Sequence, residues 1–199
     1  MTTQVNAREY AEYEPTLNYL RDPTLIRWRQ RLENLSSSAV LVRQATADGP
    51  DGRRLWDLQL MCEPISVRSV TENVAMITER LVLFAEMDDV HVGFCVSFPG
   101  SEKSDPLFVQ FVGVAPSAKR KGAALALLTA AAAREPFRDI ALATQETNVA
   151  ARALNERFAE SIGACIRRVA LGTYRDRDLR IQRGLGYRAW LIQRSQSKS

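Results

Sequence analysis

Apolar residues follow two rhythms along this chain, and the places where one gives way to the other mark the elements. Strict alternation or short β-branched runs predict strands at Val40 to Thr46, Leu81 to Met87 and Val90 to Phe98, the last two joined at Asp88-Asp89 as a hairpin. Helical spacing appears first at Leu25, Trp28, Leu32 and Leu35, behind an Asp22-Pro23 cap and first-turn pair. It returns through Leu55, Leu58 and Cys62, ended by Pro64, after the turn Asp48 to Gly52. A third helix opens at a capping box, Ser69 to Glu72, with Val70, Val74 and Ile77 as its expected buried face. Beyond Pro136 come a short strand, Ile140 to Thr144, and a helix capped by Asn148 whose inward face is Ala151, Leu154, Phe158 and Ile162. Cys165 to Leu171 and Leu185 to Ile192 read as two closing strands separated by a charged loop. Residues 1 to 38 read as a helical extension ahead of a domain spanning 39 to 195, with Ser36 to Ser38 at the boundary. The extension's apolar stripe packs on that domain or, as the alternative, forms a homodimer interface.

The remaining stretch, Phe108 to Arg134, organises the others. Val109, Phe111, Val112 and Val114 form a run suited to a strand buried on both faces. The chain then breaks at Pro116, passes through Lys119, Arg120, Lys121 and Gly122, and continues as an alanine- and leucine-rich segment of high helix propensity. In a strand–turn–helix of this kind the first helical N–H groups lack intrahelical acceptors and the helix dipole adds partial positive charge, so an anion is a natural partner. Gly122 leaves room for a phosphate to approach the backbone. A P-loop is excluded, because Ala123 and Ala124 stand where Lys and Ser or Thr are needed, and a single glycine excludes the dinucleotide fingerprint.

At 199 residues and 46% apolar, the chain is long enough for one domain with a sizeable core. No run of about 20 apolar residues suggests a membrane span, and the first fifteen residues carry no apolar signal core. A soluble, cytoplasmic protein is expected. Three widely spaced cysteines, Cys62, Cys95 and Cys165, sit among apolar neighbours and read as buried free thiols. With His91 the only histidine, placed between two valines, neither a metal centre nor a Ser-His-Asp triad is expected, and His91 reads as structural or exposed. The net charge of +4 is uneven: eight arginines against Asp176 and Asp178 fall between Cys165 and Arg194. Such a cluster suits phosphates, an acidic substrate or nucleic acid. Nucleic acid is the weakest of these, because Tyr174, Tyr187 and Trp190 are too dispersed for a stacking platform.

Val114, Pro116, Lys119, Gly122 and Ala124 match the pyrophosphate turn of the GNAT-type N-acetyltransferase superfamily, Val-x-Pro-x-x-Arg/Gln-x-x-Gly-x-Gly/Ala, with Lys119 in place of Arg or Gln. VRQAT and VHVGF resemble the family's first and third strands, and LATQETNVAARAL resembles the segment that follows its fifth. The resemblance covers about Val40 to Arg194. It implies an α/β fold with a mixed, mostly antiparallel sheet splayed between the fourth and fifth strands, and transfer of an acyl group from acetyl-coenzyme A to an amine of a small molecule or protein. Gly113 is expected to supply the bulge that starts the splay. Backbone groups of Val112 and Val114 are expected to hold pantetheine and polarise the thioester, and Lys119, Arg120, Lys121, Gly122, Ala123 and Ala124 to hold the pyrophosphate. Asn148 matches a coenzyme-contacting asparagine or is a plain helix cap, and Arg152 reaches the coenzyme or is solvated.

Two departures bear on catalysis. Many members carry a carboxylate on the fourth strand where this chain has Gln110, which can position water or substrate but cannot take a proton. Glu146, at the end of the fifth strand, is the nearest carboxylate for that task, as base or as an exposed acid in a turn. Where relatives carry a tyrosine to reprotonate the thiolate, this chain has Asn155, whose N–H groups can hydrogen-bond sulfur. Tyr174 and Tyr187 read as structural or, as the alternative, enter the site from the last strands. The alternative to an enzyme is therefore a GNAT-like module that binds acyl-coenzyme A as a sensor or interaction domain.

Overall fold

The structure is a computed structural model and describes residues 21–36, 39–62 and 65–194. In chain order the elements are α1 (Pro23–Glu33), β1 (Leu41–Gln44), α2 (Asp51–Met61), α3 (Val70–Glu79), β2 (Leu81–Met87), β3 (Val90–Pro99), β4 (Leu107–Val114), α4 (Ala123–Arg134), β5 (Ile140–Gln145), α5 (Val149–Ser161), β6 (Cys165–Val169), α6 (Asp176–Leu179) and β7 (Tyr187–Gln193). The strands form one seven-stranded sheet in the order β1-β2-β3-β4-β5-β7-β6. Only β4 and β5 run parallel. A parallel pair needs a crossover, and α4 supplies it.

Burial explains the patterns read along the chain. Val82 to Ala85 and Val92 to Val96 are continuous buried runs, so β2 and β3 are covered on both faces. On β4 and β5 alternate residues part company. Leu107, Val109, Ile140 and Leu142 join the main core, while Phe108 and Ala141 join a second cluster with Leu179, Ile181 and Leu191. The second cluster exists because α6, which lies inside what reads as a charged loop, folds back onto β4 and β5.

The stripe of α1 is covered by its own chain. Leu25, Trp28 and Leu32 belong to the main core, the Trp28 ring stacks on His91 at 4.8 Å, and the indole N–H donates to the His91 carbonyl. Asp22, which caps α1 through the Thr24 N–H, also pairs with Arg53 of α2 at 2.7 Å. Ser37, Ser38 and Pro64 lie outside the described residues.

Two expectations need correction. The buried face of α3 is Asn73, Met76 and Ile77, while Val70 is exposed and Val74 only half-buried. A buried asparagine is tolerated because its carboxamide exchanges hydrogen bonds with that of Gln59 on α2, at 2.9 and 3.2 Å. Of the three free thiols, Cys62 and Cys95 are buried, and burial pushes both up to about 12. Cys165 is exposed, because β6 is the edge of the sheet and its first residue faces solvent.

Candidate active site

The sheet comes apart at one place. β4 pairs with β5 only through Leu107, Phe108 and Val109; β5 then continues to Gln145 with β7 alone, and β4 continues to Val114 with β3 alone. The cause is local. Across β3, Val96 faces Phe111 but Ser97 faces Val109, which leaves Gln110 as an extra residue on β4. A bulge of this kind bends and twists its strand away from a neighbour. It sits at Gln110, not at Gly113, where the sequence places it; Gly113 pairs regularly with Phe94, and a Cβ there would come within 2.7 Å of the Phe94 ring. Gly113 is small for packing.

Past the bulge, strand alternation decides which backbone groups face the gap. The Ala115 N–H donates to the Val92 carbonyl, so Gly113 and Phe111 turn their backbone groups toward β3, and Val112 and Val114 turn theirs toward the space that β5 has left. That space opens as a cleft of about 570 Å³ between β4 and β5, bounded by α5 on one side and by α6 on the other.

Beyond β4, a 3-10 turn from Pro116 to Ala118 leads to the basic segment. Arg120 and Gly122 both adopt left-handed backbone, at φ 65° and 86°. Gly122 is the N-cap of α4 and contributes no side-chain acceptor, so the N–H groups of Ala123 and Ala124 have no partner among the described residues. A Cβ built on Gly122 meets nothing within 4 Å. Lys119 and Arg120 are exposed, whereas the Lys121 ammonium turns back to the Leu35 carbonyl at 3.2 Å, leaving only its backbone to the turn.

Asn155 lines the cleft from α5. It is 6% exposed, and its Nδ2 has no hydrogen-bond partner. A buried amide donor without an acceptor is costly, by about 1–3 kcal/mol. An acceptor delivered by a ligand removes that cost. Asn148 lines the same wall and spends its Oδ1 on capping α5 through the Ala151 N–H at 3.0 Å.

Other sequence candidates are committed elsewhere. Gln110 lines the cleft, but its Oε1 accepts from Arg80 and its Nε2 donates to the carbonyls of Arg177 and Asp178 at 3.0 and 3.2 Å. It therefore fastens α6 to β4. The Glu146 side chain is 61% exposed and pairs with Arg188 at 2.5 Å, outside the cleft wall. Arg152 pairs with Glu156 at 2.9 Å and lies over the Trp190 ring. Tyr174 packs edge-on against Phe108, and burial raises its pKa. Tyr187, the other tyrosine that could enter from the last strands, lines the cleft at the start of β7. From α6 and its exit, Asp176, Arg177, Leu179, Arg180, Ile181 and Gln182 also line the cleft, and the sequence marks them only as part of an arginine-rich, charged stretch.

The family model for the acetyltransferase (GNAT) family matches residues 53–159, which run from α2 through the splayed strands and most of α5. The chain belongs to the GNAT acetyltransferase family. An L-2,4-diaminobutyric acid acetyltransferase of Vibrio cholerae is 33% identical over 92 residues, 45% of this chain and 53% of that protein. The chain thus matches about half the length of this curated relative. Among solved structures, a diaminobutyrate acetyltransferase of Paenibacillus lautus, in complex with L-2,4-diaminobutyric acid and coenzyme A, superposes with a TM-score of 0.62 at 23% identity, covering 79% of this chain and 96% of that one. A GNAT acetyltransferase of Elizabethkingia anophelis with acetyl-coenzyme A bound gives 0.55 at 15% identity, over 78% and 98%. At these identities the two structures speak for the fold.

The unpaired backbone of Val112 and Val114 suits an extended chain of amides, the open turn at Gly122 suits a pyrophosphate, and the orphaned Asn155 Nδ2 suits an acceptor inside the cleft. Among the described residues, no group of three or more His, Cys, Asp or Glu is arranged to hold a metal, and no helix is long and apolar enough to cross a membrane.

Proposed function

We propose that this protein transfers the acetyl group of acetyl-coenzyme A to the amine of a small molecule of the diamino-acid type. The observation that carries the reading is the gap after Val109, where β4 presents the backbone of Val112 and Val114 to a cleft that also holds an unpartnered amide. When bound, acetyl-coenzyme A supplies the activated acetyl thioester. Ala123 and Ala124 N–H groups and the charges of Lys119 and Arg120 hold its phosphates, and Val112 and Val114 hydrogen-bond its amides. A backbone N–H of this segment polarises the carbonyl under attack. Asn155 Nδ2 donates to the sulfur and lowers the cost of its departure.

Deprotonation of the amine falls to solvent. Asp176 is the one carboxylate among the residues lining the cleft, and both of its oxygens accept from Arg183 at 2.6 and 3.0 Å. Transfer is therefore expected to rise with pH as the acceptor loses its proton, and Glu146→Gln is expected to leave the rate within about twofold. Residues 39 to 195 form the transferase unit in this reading. Thiol release from acetyl-coenzyme A across a pool of small amines tests it. Amine-dependent release supports the transferase. The alternative, a module that binds acyl-coenzyme A without turning it over, draws on the fully engaged Gln110, and micromolar binding without amine-dependent release would select it.

A further inference from the structure

The arginines around α6 are not equivalent. Arg175 pairs with Asp178 at 2.7 Å, Arg183 with Asp176, and Arg188 with Glu146, while Arg177 has Asp178 at 3.9 Å. The Arg180 side chain has no ion pair or hydrogen bond among the described residues, its backbone N–H being spent on the Asp176 carbonyl. Its half-buried guanidinium lies over the Phe111 ring, 5.2 Å from the centroid, and lines the cleft beside the Gln110 bulge. A guanidinium stacked on a ring keeps its in-plane N–H edge free, and that edge matches a carboxylate.

Two further features hold the charge there. Arg180 is the C-cap of α6 and adopts left-handed backbone, φ 54° and ψ 33°, with the Ile181 N–H closing the turn on the Asp176 carbonyl at 2.9 Å. Glycine or asparagine suits that position better, so an arginine stands there against local preference. Its neighbours do not neutralise it: Asp176 is taken by Arg183, and the nearby Arg80 is a second cation, bonded to Gln110.

The coenzyme's pyrophosphate does not account for this charge. Phe111 lies three residues before the end of β4, about 10 Å along the strand, and Gly122 is further still beyond Val114. We infer that Arg180 binds a carboxylate carried by the amine acceptor and so selects amino acids over plain amines. This rests on the acetyltransferase reading and adds the substrate's second recognition group.

The test compares amines that differ only in a carboxylate: L-2,4-diaminobutyrate with 1,3-diaminopropane, and L-lysine with 1,5-diaminopentane. The wild-type protein is expected to prefer at least one carboxylated member by about 10- to 100-fold in kcat/KM for thiol release, the range for one charge-assisted pair. In Arg180→Gln that preference is expected to collapse toward one, with Arg180→Lys in between. Calorimetry of the same pairs into protein loaded with coenzyme A reads the subsite without turnover, so a failed transfer assay alongside carboxylate-dependent binding would reject the transferase and keep the anion site. Equal treatment of both members of each pair by the wild type, in rate and in binding, overturns the inference. So does a preference that survives Arg180→Gln unchanged.

Discussion

Replacing Gly122 with alanine separates the cost of folding from the cost of binding. At φ 86° an alanine is strained by about 1 kcal/mol relative to glycine, and its methyl group meets no protein atom within 4 Å. In a chain of this size that strain lowers Tm by about 2–4 °C. Gly163, which closes α5, provides a matched control: φ is 63° and a Cβ there also meets nothing within 4 Å. Gly163→Ala should therefore cost a similar Tm. The two variants should diverge in calorimetry with coenzyme A. With the pyrophosphate at this turn, as proposed, the Gly122→Ala methyl group would stand in its approach to the α4 N–H groups. Loss of one charge-assisted bond, worth about 1.5–3 kcal/mol, weakens binding by about 10- to 100-fold. Gly163→Ala should bind within twofold of wild type. Similar Tm losses with unchanged affinity in both variants would refute the placement of the pyrophosphate at this turn.

Asn155→Leu should lower kcat by about tenfold or more while leaving stability unchanged or raised, since Nδ2 gives up no bond in the free protein; stopped-time thiol assays and urea melts check both. Trp28→Ala should destabilise by about 3–5 kcal/mol in urea unfolding, because the ring is buried in the main core and stacks on His91. Asp51 is pushed up by burial but held down more strongly by Arg43 and the Thr46 N–H, to about 2. Its contribution is thus present above its ordinary pKa near 3.8 and lost as pH falls toward about 2. Asp51→Asn should flatten the loss of stability over that window, read by unfolding midpoints between pH 4.5 and pH 2.5.

What the sequence made legible was the backbone geometry of the cleft. Val112 and Val114 turn their backbone toward the gap and the turn through Gly122 leaves the first α4 N–H groups open, and strand, break, glycine and helix propensity announce such groups directly. What it concealed depends on partners distant in the chain. The bulge falls at Gln110 because of pairing with β3, and nothing in the residue itself marks it, whereas Gly113, where the bulge is expected, is a close contact with Phe94. Between the two readings of Glu146, base or exposed acid in a turn, its sequence position does not decide, because Arg188, its ion-pair partner, lies far along the chain. Asn73 broke the apolar pattern of α3 because Gln59 satisfies it. The segment around α6 reads as a charged, arginine-rich loop, and only its fold onto β4 makes Arg180 stand out from seven similar arginines.

The most direct test of the central claim is the balance of products. Protein, acetyl-coenzyme A and L-2,4-diaminobutyrate are incubated together, and free thiol and acetylated amine are measured in the same samples by absorbance and mass spectrometry. The account predicts that both appear in equal amounts, that both require the amine, and that both fall together in Asn155→Leu. Thiol released without acetylated product, or at the same rate with no amine present, would contradict it.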